Sequence, residues 1–207
     1  MASTTNQEDE ELVDGPTLTV SQRARRERML SATAELALEG GWDAVQMREV
    51  AQRAEVALGT LYRYFPSKEY LLVSVMIADI ESLTERLSVR PAEGEDPVER
   101  VVDVLRRANK ALQRQPQVTI AMIRALVSGN EEIAPVVKQT RSLMRRIISD
   151  ALGVEGDGPS PADDQLVLNI DLLSDVWFAA LVSWISGVEP ASSVVPKLSD
   201  ATRVLLG

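Results

Sequence analysis

Residues 46–68 read QMREVAQRAEVALGTLYRYFPSK: two short helical segments joined by a tight turn, then a break at Pro66 and a new helix start at Ser67. In the first segment Val50, Ala51 and Ala54 recur at the spacing of one helical face, while Arg48, Glu49, Gln52 and Arg53 occupy the others. Side chains this small let a second helix cross closely and steeply over Ala51. In the second segment Leu61 and Phe65 stand one helical turn apart and seat it on a core, whereas Thr60, Tyr62, Arg63 and Tyr64 point outward. Hydroxyls and phenols donate to phosphate oxygens, threonine offers a methyl to thymine, and arginine meets guanine with a forked pair of hydrogen bonds. Such a face suits a DNA duplex.

Val50-Ala51, Ala54, Val56, Gly59-Thr60-Leu61-Tyr62, Tyr64-Phe65, Ser67-Lys68 and Leu71-Leu72 resemble, without insertion, the DNA-binding motif of TetR-type transcriptional repressors. The wider run AVQMREVAQRAEVALGTLYRYFPSKEYLL is similar to the subgroup that represses cholesterol and steroid catabolism. A patchier likeness continues through Ala111–Arg114, Ala121-Met122, Arg124-Ala125, Ser174–Trp177 and Arg203–Gly207. Two positions depart from the family pattern: Glu55 stands at the turn where Gly is usual, and Ala57 replaces a Ser or Thr cap. A side chain forced to positive φ costs about 1 kcal/mol, and a lost cap costs about as much.

The composition predicts an all-α fold. Of 207 residues 45% are hydrophobic but only 4% aromatic, so the core is built from Leu, Val, Ile, Ala and Met, with no long alternating pattern to compete. Without Cys there is no disulfide or thiolate chemistry, and without His the commonest general base and transition-metal ligand is missing. Most enzymatic readings fall with them, and no cofactor is called for. No leader pattern opens the chain, and the longest apolar run, Val176–Ile185, is too short to cross a bilayer, so a cytoplasmic protein with no membrane partner is expected. The net charge of −9 is unevenly distributed: residues 1–20 hold five acids and no base, and residues 21–70 hold eight bases and seven acids. Acidity outside the DNA face favours dependence on local phosphate contacts over non-specific binding.

Three segments follow: an acidic tail expected to be disordered at 1–20, a helix-turn-helix domain at 21–66, and a larger domain at 67–207. Arg23, Arg25, Arg26 and Arg28 crowd the start of a helix that Ser21 can cap and Gly40-Gly41 end. Cations there oppose the helix dipole, which points to contact with DNA by one or two of them. Ser67 begins a long helix, the lever between the two domains. Asp96-Pro97 starts another, whose outer side carries Arg106, Arg107, Lys110 and Arg114, either a solvated face or a seat for an anionic ligand group. The helix near 162–187 has two apolar stripes: Leu166, Ile170, Leu173, Trp177 and Trp184, and Leu168, Leu172, Val176, Ala179 and Val182.

The resemblance implies a nine-helix fold in which the last two helices pair with those of a second subunit. One recognition helix reads too few bases alone, so the expected unit is a homodimer on a near-palindromic operator in double-stranded DNA. The DNA candidates are Arg25, Arg26, Gln46, Arg48, Leu58, Gly59, Thr60, Tyr62, Arg63, Tyr64 and Lys68, with Tyr64 and Lys68 on phosphates and Arg48, Thr60 and Tyr62 on bases. A small apolar effector is expected among Met76, Met122, Ile123, Leu126, Met144, Ile147, Leu173, Trp177 and Trp184. By resemblance it is a sterol-derived acyl coenzyme A thioester; the alternatives are a fatty acyl thioester or a drug. A remote alternative is an enzyme using Asp171 and Asp175 as paired carboxylates.

Overall fold

The computed structural model describes residues 18–154 and 161–207, and most of the acidic tail lies outside them. Among the described residues there are nine α-helices and no strand: α1 Val20–Ala44, α2 Met47–Arg53, α3 Leu58–Tyr64, α4 Lys68–Val89, α5 Pro97–Arg114, α6 Pro116–Leu126, α7 Ala134–Leu152, α8 Pro161–Ile185 and α9 Val194–Leu206.

The first helix starts earlier than the sequence reading placed it. Thr19, not Ser21, is its cap: its hydroxyl accepts from the Gln22 N–H, and the Gln22 side chain accepts from the Thr19 N–H at 2.8 Å. This reciprocal pair satisfies two of the helix's orphan donors, so the helix begins at Val20, two residues earlier than a cap at Ser21 would place it. The other end kinks at Gly40-Gly41, where Gly41 has φ 63° and ψ −148°, a backbone open essentially to glycine alone. A Cβ on Gly41 would lie 3.0 Å from the end of the flexible Gln117 side chain of α6, so it is the backbone angle and not crowding that calls for glycine.

Two apolar clusters organise the molecule. Met29, Leu36, Val50, Leu61 and Phe65 form the head core, which continues into Leu71, Leu72, Met122 and Ala125. Ile80, Leu105, Ile123, Ile148, Leu173 and Leu198 form the body core. Helix α4 contributes to both, its first turns packing in the head and its later turns among α5, α7 and α8. Its start is fixed by the Ser67 hydroxyl, which accepts from the Tyr70 N–H and from the Asn130 side chain at 3.4 Å.

The basic side of α5 is partly committed inward. Asp103 is buried, and Arg106 and Arg107 close on it at 3.0 and 2.6 Å while the Glu93 N–H donates to it. A buried carboxylate needs such partners, which argues against those two arginines as an open anion seat. Residues 164–185 of α8 are, by length and composition, long and apolar enough to cross a membrane, contrary to the reading of Val176–Ile185 alone. One face of this helix belongs to the core: Ile170, Leu173, Trp177 and Leu181 are buried, and Asp171 and Asp175 bind Arg145 and Arg141 of α7. The second apolar stripe lies outside this core. Leu168 and Leu172 are 50% and 42% exposed, with Val176 and, on α9, Val204 also uncovered.

Candidate nucleic-acid interface and interior cavity

Helices α2 and α3 are joined by a turn in which the Val56 N–H bonds to the Ala51 carbonyl and the Glu55 N–H to that of Gln52. This pattern closes a helix through one left-handed residue, usually glycine. Here that residue is Glu55, at φ 55° the sole non-glycine positive φ among the described residues. Ala57 then starts α3 with no side-chain cap, so both costs expected from the sequence are present in the structure. The turn is held from outside. Arg53 at the end of α2 makes two hydrogen bonds to Glu39 of α1, at 2.6 and 2.9 Å, and this bond holds the Glu39 carboxyl below its ordinary pKa.

Leu61 and Phe65 are fully buried beneath α3, and Gln46, Arg48, Gly59, Tyr62 and Arg63 are exposed above it. Leu58 and Thr60 are half-buried beside them. Nothing lies within 4 Å of a Cβ built on Gly59, so this glycine leaves open surface at the start of the recognition helix. Arg25 and Arg26 are half-buried on α1, and the Arg26 guanidinium lies 5.7 Å from the Phe65 ring centroid, which ties the arm to the underside of α3.

Two residues expected on phosphates sit differently. Tyr64 follows Leu61 by three residues, close to the same helical face, so its ring packs on the head core and its hydroxyl is enclosed with no hydrogen-bond partner. Lys68 donates to the Trp42 carbonyl and lies over the Trp42 ring at 4.2 Å. Burial pushes its pKa below the usual lysine value, with Asp43 and Glu69 pulling the other way.

In the body, α4, α5, α6, α7 and α8 line a partly open cavity of about 250 Å³. Met76, Ile80 and Leu83 of α4, Ala108 and Leu112 of α5, Ile123 and Leu126 of α6, Val137 and Met144 of α7, and Trp177, Phe178 and Leu181 of α8 make its wall largely apolar. Its polar members are Asp79, Arg86, Thr140, Arg141, Ser174 and Asp175. Arg141 and Asp175 pair with each other at 2.5 Å, and Arg145 binds Asp171 with two contacts of 2.8 Å. Both carboxylates of the remote enzymatic reading are thereby neutralised by arginine.

Residues 29–75 match the family described as bacterial regulatory proteins, tetR family, and residues 94–205 match the tetracyclin repressor-like C-terminal domain. The chain belongs to the TetR family. It is 41% identical to the HTH-type transcriptional repressor KstR of Rhodococcus jostii over 187 residues, which cover 90% of this chain and 85% of that one. It is 38% identical to KstR of Mycobacterium tuberculosis, covering 90% and 83%. A TetR transcriptional regulator from Rhodococcus sp. RHA1 has a solved structure that superimposes with a TM-score of 0.81 at 36% identity, over 90% of this chain and 97% of that one. The protein is thus a TetR-type transcriptional repressor similar to KstR, and that likeness extends well beyond the recognition unit.

Seen as a TetR body, the cavity gathers five of the nine ligand residues expected from the sequence: Met76, Ile123, Leu126, Met144 and Trp177. The other four are elsewhere. Met122 is buried in the head core, Ile147 and Leu173 are buried in the body core, and Trp184 packs against the latter. Sequence reasoning passed over Asp79 and Phe178. Asp79 did leave a signal, since it is an acid placed between Met76, Ile80 and Leu83 on the inward stripe of α4.

Proposed function

We propose that this repressor binds its operator as a homodimer and releases it when an apolar, steroid-derived acyl thioester enters the cavity. The observation that supports this best is that one helix, α4, carries both the Lys68 joint with the head and the Met76–Arg86 wall of the cavity. At about 250 Å³ the cavity lies below the roughly 300–1,000 Å³ usual for ligand sites. A bulky effector therefore has to part α4 from α7 and α8 to fit. That work comes from differential affinity: a few kcal/mol in favour of the parted state is enough to empty the operator.

On the DNA side, Arg48, Thr60 and Tyr62 read base edges, Gln46, Leu58 and Arg63 flank them, and Gly59 admits the phosphate backbone. Arg25 and Arg26 supply the phosphate contacts from α1. The exposed stripe Leu168, Leu172 and Val176, with Val204, supplies the subunit contact, which places two heads to meet successive major grooves.

A second reading draws on a likeness of fold: Thermus thermophilus FadR, solved in complex with lauroyl-CoA, superimposes with a TM-score of 0.62 at 22% identity over 87% of this chain and 93% of that one. Titrating a steroid acyl thioester and a C12 acyl thioester separately into an operator gel shift distinguishes the two. Release by the steroid thioester at lower concentration is expected. Release by the straight-chain thioester alone moves the protein to the second reading, and release by neither refutes the effector role of the cavity.

A further inference from the structure

Helix α4 faces the cavity with Met76, Asp79, Ile80 and Leu83, the i, i+3, i+4, i+7 stripe that an inward helix face fills with apolar residues. Asp79 is the acid in that stripe. Its carboxylate makes no hydrogen bond or ion pair among the described residues. The other charged groups on the wall are engaged: Arg141 with Asp175 at 2.5 Å, and Arg86 with the Ser82 hydroxyl at 2.7 Å. Arg86 stands seven residues along the same helix, a rise of about 10 Å.

Asp79 is exposed to the space these residues line, so solvent reaches its carboxylate, and an apolar ligand that displaces this solvent has to supply a donor in its place. Partial desolvation by the surrounding side chains raises the Asp79 pKa, with the charge of Arg86 acting in the opposite direction. Ionised, the group accepts only. A ligand ketone offers it nothing, and a ligand carboxylate is repelled. An ammonium gains from Asp79 but has to give up its own hydration on a wall that is otherwise largely apolar. A hydroxyl donates without bringing a charge.

We infer that Asp79 is the specificity-determining residue of the cavity, selecting effectors that carry a hydroxyl group on an otherwise apolar body by accepting a hydrogen bond from it. This inference rests on the proposal that the cavity is the effector site. It adds an orientation: the hydroxyl end meets α4 at Asp79, and the acyl end points away from it.

The test uses the full-length purified protein and a steroid skeleton carrying a hydroxyl, a ketone, a hydrogen or an amine at one ring carbon, with binding followed by the change in tryptophan fluorescence, to which Trp177 on the cavity wall contributes. The hydroxyl compound should bind about 10- to 100-fold more tightly than the hydrogen compound. In Asp79→Leu that ratio should fall to about twofold or less. Survival of the ratio in Asp79→Leu overturns the assignment, and so does tighter binding of the amine than of the hydroxyl. Equal binding of all four to the wild type removes the role of Asp79 while leaving the cavity as the effector site. Binding of none of them removes both.

Discussion

The Lys68 ammonium lies 4.2 Å from the centroid of the Trp42 ring and also donates to the Trp42 carbonyl oxygen. Arg124 of α6 stacks on the same ring at 4.7 Å. A single indole at the end of α1 thus meets the start of α4 and the last turn of α6, the helix that carries Ile123 and Leu126 on the cavity wall. Each cation–π contact contributes about 0.5–2 kcal/mol. Lys68→Met is expected to lower the melting temperature by about 2–6 °C. It should also weaken operator binding by a similar factor on every sequence, because it loosens the head without touching a base. Scanning calorimetry and binding to a set of operator variants check both parts.

Arg48→Ala is expected to change the preference among operators, with a loss of about 1–3 kcal/mol on the best site and much less on variants at the base it reads. Uniform loss across variants would assign Arg48 to phosphate instead.

Tyr64→Phe removes a hydroxyl that is enclosed without a partner, so a stability equal to or slightly above the wild type is expected, with operator affinity within about twofold. A drop of tenfold or more in affinity would show that the ring turns outward on DNA.

Glu55→Gly and Ala57→Ser address the turn between α2 and α3. The first relieves a left-handed residue and the second restores a cap, each by about 1 kcal/mol. Together they are expected to raise the melting temperature by about 4–8 °C. Thermal melts of the two single variants and the double variant test whether the effects add.

Leu172→Glu places a charge in the exposed stripe of α8, where two-fold symmetry would bring it near its own copy. Sedimentation of the variant as a monomer, with loss of operator binding but an unchanged helical spectrum, is the expected result. A dimer as stable as that of the wild type would locate the subunit contact elsewhere.

The recognition unit was legible because helix geometry acts locally: Leu61 and Phe65 had to lie beneath α3, and the positive φ of Glu55 follows from a helix forced to stop between Ala54 and Val56. Tyr64 was misplaced by the same reasoning taken too coarsely, since a residue three positions from Leu61 falls on its flank and not opposite it. The cap at Thr19 was written in the segment TVSQ, whose Thr19 and Gln22 stand three apart as a capping box requires, but Thr19 was read as the end of the acidic tail. The cavity was the hard part. Periodicity marks a residue as inward without saying whether packing or empty space awaits it. Neighbouring Met122 and Ile123 illustrate this, one buried in the head core and the other on the cavity wall.

From Lys68 to Val89 helix α4 contains neither glycine nor proline and runs 22 residues, about 33 Å at 1.5 Å per residue. A rod of that stiffness cannot absorb a push by bending. A tilt of about 5° imposed at one end displaces the other by roughly 3 Å, so the gearing between pocket and groove is set by helix length. Replacing Ser74 and Ala78 with glycine, which loosens the rod and keeps its register, should leave ligand and operator each able to bind while weakening the link between them.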